Sequence, residues 1–164
     1  MKALGVTVLG LLLTTVLAAG DGPKPNFSGT WRFNREKSRL EMTVPEQSVL
    51  IFVIEHEDPR FKLTRIHTQG EKSDTLSWEA TTDGTEHYRK DGEFESWMRM
   101  NWMGEELVLE SRLANRGETG TNVVHYRLAD GGETLIAAEW FHMPSSQHHN
   151  LWVLEREPEQ QVSK

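Results

Sequence analysis

The sequence predicts an all-β protein, an antiparallel up-and-down barrel of about eight to ten strands. Three observations carry that expectation. Short segments alternate apolar and polar residues along most of the chain. Turn-forming pairs such as Asp58-Pro59, Gln69-Gly70, Asp83-Gly84, Asp91-Gly92 and Gly104-Glu105 punctuate them, because glycine tolerates positive φ and aspartate bonds to nearby backbone. Several of these links are shorter than the dozen or so residues a parallel crossover takes, so neighbouring segments must pair as hairpins. An open sandwich is the alternative, but strands joined in sequence are better served by closure, which removes exposed edges.

The first twenty residues read as a secretory signal peptide. Met1-Lys2 gives a positive start, residues 3–16 are uncharged, and Leu17-Ala18-Ala19-Gly20 supplies small residues for cleavage near Ala19 to Asp21. A spanning helix needs about 20 predominantly apolar residues, whereas this run is shorter and holds Thr7, Thr14 and Thr15. The expectation is a secreted or periplasmic protein with no membrane span after processing, in which residues 21–164 form a single barrel domain.

After a Pro/Lys leader, strands are expected at residues 28–33, 48–57, 60–67, 74–81, 85–89, 94–103, 106–114, 122–129, 134–142 and 150–157, with further turns at 117–120 and 130–132. The segment Asn34-Arg35-Glu36-Lys37-Ser38 offers one capped turn, with Asn34 accepting from the backbone that follows. Pro45 and the Val/Thr content then stop any helix.

Composition narrows the function. The chain has 25 acidic and 18 basic residues and a net charge of −7, and loss of Lys2 with the signal peptide makes it one unit more acidic. That balance opposes nucleic-acid binding, which rests on Lys and Arg neutralising phosphate. The absence of cysteine excludes disulfides, thiolate nucleophiles and thiolate zinc sites.

Alternation assigns the faces. On residues 94–103 the even set Phe94, Ser96, Met98, Met100 and Trp102 is expected inside, and on 106–114 the odd set Leu107, Leu109, Ser111 and Leu113. The same test places Leu76, Trp78 and Ala80 inside, then Val124, Tyr126 and Leu128, then Ile136, Ala138, Trp140 and His142. Trp78, Phe94, Met98, Met100, Trp102, Tyr126, Trp140 and His142 are therefore the candidate ligand-binding residues. Adaptable Met and broad Trp faces suit a flat or oily small molecule. The other reading of the same residues is a barrel packed shut.

The stretch from Asn26 to Ser38, with Phe27-Ser28-Gly29-Thr30-Trp31 followed by Asn34-Arg35-Glu36-Lys37-Ser38, resembles a family of small secreted bacterial lipocalin-like proteins. Its Gly-x-Trp is similar to the opening of lipocalins and related calycin barrels. Further matches lie at 54–59, 81–84, 102–104, 128–135 and 152–156. The resemblance implies the barrel and export, and no particular reaction. Physically, Gly29 permits close backbone approach, Trp31 can plug one barrel end, and a final-strand Arg such as Arg156 can stack on the indole. These three are expected to close the barrel.

Catalytic motifs are not found. His56-Glu57 lacks a second His four residues after the first, and no nucleophile elbow, P-loop or dinucleotide fingerprint occurs. His142, His148 and His149 cluster near the last hairpin, with His87 and His125 elsewhere. A metal would need two or more to converge, and adjacent His148 and His149 point oppositely on a strand, so neither a metal nor a cofactor is expected. The leading functional expectation is an exported barrel that binds or carries a small apolar or aromatic molecule, with a rim at residues 34–47. The alternatives are a barrel-type hydrolase or isomerase using His142 and a nearby carboxylate, Glu139 and Glu155 being carboxylates with which a His could pair, and an envelope protein-interaction module with a solid interior. Cavity volume separates a solid barrel from the other two.

Overall fold

The computed structural model describes residues 23–158, so the expected signal peptide lies outside the described residues. Eleven strands follow in order: β1 (Gly29–Phe33), β2 (Arg39–Leu40), β3 (Ser48–Glu57), β4 (Arg60–Gln69), β5 (Lys72–Thr81), β6 (His87–Asp91), β7 (Phe94–Met103), β8 (Glu106–Asn115), β9 (Glu118–Ala129), β10 (Thr134–Met143) and β11 (Ser146–Arg156). A 3-10 turn at Asp130–Gly132 links β9 to β10. All described pairings are antiparallel, in the order β5-β4-β3-β1-β11-β10-β9-β8-β7-β6, with β2 beside β11. Ten strands thus wrap into a nearly closed barrel, joined where β1 meets both β3 and β11. Among the described residues, no helix is long and apolar enough to cross a membrane.

Alternation placed most strands correctly, and β3 and β7 match their expected limits. Two turns are tighter than expected. Arg116 and Gly117 take positive φ, so β9 begins at Glu118 and carries Gly120 inside the strand, where an added Cβ would run into the His142 carbonyl. Pro144 and Ser145 alone turn β10 into β11, which starts at Ser146. The two-residue β2 escaped the sequence reading because a pair of residues has no periodicity. The turn after Asn34 is as expected: its Oδ1 accepts the Lys37 N–H at 3.0 Å.

One face assignment is reversed. Tyr126 pairs with Ala137 and Val124 with Glu139, and directly opposed residues share a face, so the odd residues of β10 point inward. Leu135 and Ala137 are buried, while Trp140 is 43% exposed and His142 is exposed. Ile136, Ala138, Trp140 and His142 are therefore on the outer face. The alternation was ambiguous here because both parities of β10 are largely apolar; the register across the 3-10 turn decides it.

No ladder joins β5 to β6. Side chains cross that seam instead: His87 Nε2 accepts the Thr81 N–H at 3.1 Å, and Arg89 Nη1 donates to the Ser77 carbonyl at 3.1 Å. The turn between the two strands is tied to β7 through Gly84 N to Met100 O at 2.9 Å. These bonds satisfy backbone groups that an open edge would leave exposed.

One barrel end is plugged. Phe27, Trp31, Ile54, Phe61, Met100, Leu107, Leu135 and Leu154 are almost fully buried there. Trp31 Nε1 donates to the Phe27 carbonyl at 3.0 Å, and the Arg156 guanidinium lies 4.1 Å from the Trp31 ring centre. An added Cβ on Gly29 would meet that guanidinium. Gly29, Trp31 and Arg156 thus meet where β1 pairs with β11.

Candidate ligand cavity

Above the plug the barrel is open. A cavity of about 580 Å³ runs from the middle of the barrel to its far end. That volume is in the range of small-molecule sites, about 300 to 1,000 Å³. Its walls follow from register: Leu63 pairs with Trp78, Met98 with Ser111, Ser111 with Asn122, and Ala137 with both Tyr126 and Trp152, all lining the space. The lower half is apolar, built by Phe52, Leu63, Trp78, Met98, Leu109, Val124, Tyr126 and Trp152.

The predicted binding residues divide into three groups. Trp78, Phe94, Met98 and Tyr126 line the cavity. Met100 and Trp102 point inward but lie in the plug: Met100 is fully buried, and Trp102 packs on Phe27 and His56 with its Nε1 donating to Asp58 at 3.0 Å. Trp140 and His142 are outside, a correction to the expected lining. Trp140 packs edge-on against His125, and His142 Nδ1 lies 3.2 Å from Gln147 Oε1.

The histidine cluster is split by the same parity. His148 lines the cavity and stacks on Phe141 at 4.6 Å, whereas His142 and His149 are exposed. His142 and Glu139 occupy opposite faces of β10, so these two do not meet. Among the described residues, no group of three or more His, Asp or Glu side chains is arranged to hold a metal ion.

Alternation missed the polar wall. Glu139 faces inward and accepts from Asn150 Nδ2 and Trp152 Nε1, each at 2.9 Å. Arg65 and Arg89 also line the cavity, Arg65 Nη2 donating to Asp74 at 3.1 Å and Arg89 Nη2 lying 3.6 Å from Asp91. Burial, with Glu139 nearby, pushes the Tyr126 phenol pKa up, so it stays protonated at neutral pH. Sequence alone gave no signal for Glu139: it shares the odd face of β10 with Leu135 and Ala137, but the even face is equally apolar.

The expected rim is present. Met42, Thr43, Val44 and Pro45 cover part of the mouth. Arg35 fixes this loop by donating to the carbonyls of Val44 and Pro45 at 2.9 and 2.7 Å, and Asn150 Oδ1 accepts the Glu41 N–H at 2.9 Å.

A second constellation sits at the plug. His56 is buried, and its Nδ1 accepts the Phe27 N–H at 3.2 Å, which leaves the proton of the neutral ring on Nε2. Burial holds the His56 pKa below the usual value, with Asp58 opposing the shift. Hydrogen bonds from Thr82 and Trp102 hold the Asp58 carboxyl below its usual value.

No protein-family model and no curated protein sequence matches the chain. Solved structures share its fold. REP1-NXSQ, described as a fatty acid transporter, superposes with a TM-score of 0.53 at 8% identity, covering 80% of this chain and 96% of that one. The secretory abundant heat soluble protein 4 of Ramazzottius varieornatus gives 0.53 at 11% identity, covering 80% and 95%. A point mutant of the fluorescent protein UnaG gives 0.52 at 14% identity, covering 81% and 97%. At such identities the likeness establishes the fold alone, an antiparallel up-and-down β-barrel.

Proposed function

We propose that this protein is an exported carrier that takes up a small apolar or aromatic molecule in the barrel cavity. The observation that carries the reading is the cavity itself: about 580 Å³, apolar in its lower half, sealed below by the Trp31 plug and open at the rim. A solid interaction module has no use for such a space, whose apolar walls would gain from contact with a ligand. That a structure with the same fold is described as a fatty acid transporter supports an oily ligand class. Export rests on the sequence of residues 1–20, with the mature chain starting near Ala19 to Asp21.

Trp78 and Trp152 line the cavity, so intrinsic fluorescence reports occupancy. Titration with apolar and aromatic compounds should give saturable quenching. A flat response across lipids, aromatics and haem would reject the carrier reading. Mass spectrometry of the exported protein tests processing, and retention of Met1 outside the cytoplasm would reject the signal peptide.

A further inference from the structure

Between the apolar floor and the rim lies a band of polar groups with unused hydrogen-bonding capacity. Ser96, Ser111 and Asn122 stand on the adjacent strands β7, β8 and β9, and all three line the cavity. Ser96 and Ser111 are 3% and 6% exposed, and neither hydroxyl is bonded to another of the described residues. The Asn122 side-chain oxygen is buried without a partner. Buried polar groups are normally satisfied, and a set left open around one space fits a complementary group that enters it. The Tyr126 phenol adds a further hydroxyl without a bonded partner among the described residues.

Charge at the same level is already balanced. Arg65 is engaged by Asp74 through Nη2, its buried Nε remaining as one more open donor, and Arg89 stands by Asp91. Glu139 faces the cavity as a carboxylate acceptor for Asn150 and Trp152. A ligand carboxylate would share this confined space with Glu139 and meet arginines that have their own counter-ions; a ligand ammonium would meet a Glu139 whose acceptor capacity is partly spent. Either ion would give up its hydration for a poor exchange. A neutral oxygen gives up far less and finds hydroxyl and amide partners.

We infer that the cavity selects an uncharged amphiphile, with its hydrocarbon or aromatic body in the floor and one alcohol-, ester- or ketone-type oxygen on the Ser96–Ser111–Asn122 band. The inference rests on the carrier reading and names the ligand class of that same site.

The test uses the full chain loaded with a neutral apolar dye, N-phenyl-1-naphthylamine, and compares displacement by 1-dodecanol, dodecanoate and dodecylammonium at neutral pH. Dodecanol should displace the dye at about tenfold lower concentration than either ion, the scale of one unfavourable desolvation difference. Ser111→Ala with Asn122→Leu should weaken dodecanol about tenfold while dye affinity, which also reports folding, stays within about twofold. Glu139→Gln should narrow the gap between dodecanol and dodecanoate. If the dye binds and an ion matches or exceeds dodecanol, the neutral-ligand inference is overturned and the carrier reading stands. If dodecanol wins but the double variant leaves it unchanged, the assignment to this band is overturned. If neither dye nor any dodecyl compound binds, the carrier reading fails and this inference fails with it.

Discussion

Arg156 holds its guanidinium 4.1 Å from the centre of the Trp31 ring, across the register pair that joins the last barrel strand to the first. Its Nη1 donates to the Ser28 carbonyl at 2.9 Å and its Nε to the Gly132 carbonyl at 3.0 Å. One side chain thus ties the entry to β1, the β9–β10 turn and the plug. Trp31→Ala should cost about 3 to 5 kcal/mol, the usual loss on truncating a buried aromatic. Arg156→Lys keeps the charge but loses the planar stack and the two-carbonyl fork, at about 1 to 2 kcal/mol. Denaturant midpoints measure both, and a Trp31→Ala loss under about 1 kcal/mol would contradict the plug.

Gly29 is the contact that lets this stack form. It adopts φ +148°, and a Cβ there would occupy the space of the Arg156 guanidinium. Gly29→Ala should destabilise by about 1 to 3 kcal/mol through overpacking. The steric part of the loss disappears when Arg156 is already alanine, so a double-mutant cycle should show strong coupling. Additive single effects would mean that the two residues do not touch.

Stability should fall on mild acidification through His56. Its folded pKa is depressed by burial, so the unfolded chain takes up a proton as pH drops through about 6.5 while the folded chain resists. The unfolded state then binds more protons, and stability is lost between that value and the lower folded one. Asp58 acts in a separate, more acidic window: its contribution is present above 3.8 and is lost as pH falls towards its own lowered value. His56→Asn keeps an acceptor for the Phe27 N–H without titrating, and should reduce the slope of unfolding free energy between about pH 7 and 5.5. An unchanged slope would place the acid sensitivity elsewhere.

Met98 is the residue through which to fill the cavity. It is buried at the wall beside open space, opposite Ser111 in the β7–β8 ladder. Met98→Trp should abolish dye binding and leave the denaturation midpoint nearly unchanged, because a larger rigid side chain enters a void. A loss of about 1 to 3 kcal/mol would instead be the signature of a solid interior.

Trp140→Ser provides the converse control. This ring is on the outer face against His125, so the change should alter ligand affinity by less than about twofold, whereas Trp152→Leu, in the cavity wall, should weaken binding about tenfold or more. Equal effects would mean that the inward and outward faces of the last hairpin are misassigned.

The strands of this barrel were legible because β-structure writes its faces locally. In β7, Ser96, Met98 and Met100 alternate with Glu95, Trp97 and Arg99, and a period of two can be read without knowing any neighbour. The Gly-x-Trp and the distant Arg156 were legible for another reason: residue types with special sterics or charge leave few roles open. On β10 the sequence was silent, since Leu135, Ala137 and Phe141 compete with Ile136, Ala138 and Trp140 as equally apolar faces. Only pairing across the Asp130–Gly132 turn decided between them, turning Glu139 in and Trp140 and His142 out. Whether the barrel was hollow was likewise a tertiary matter. The same Met and Trp residues fill a small barrel or line a larger one, and ten strands closed through side chains at the β5–β6 seam set a circumference that those side chains do not fill. Local sequence determined most of the strands and the Gly29-x-Trp31 opening, because these depend on a residue and its near neighbours. Register and closure determined the cavity and its polar band, because those depend on which strands meet.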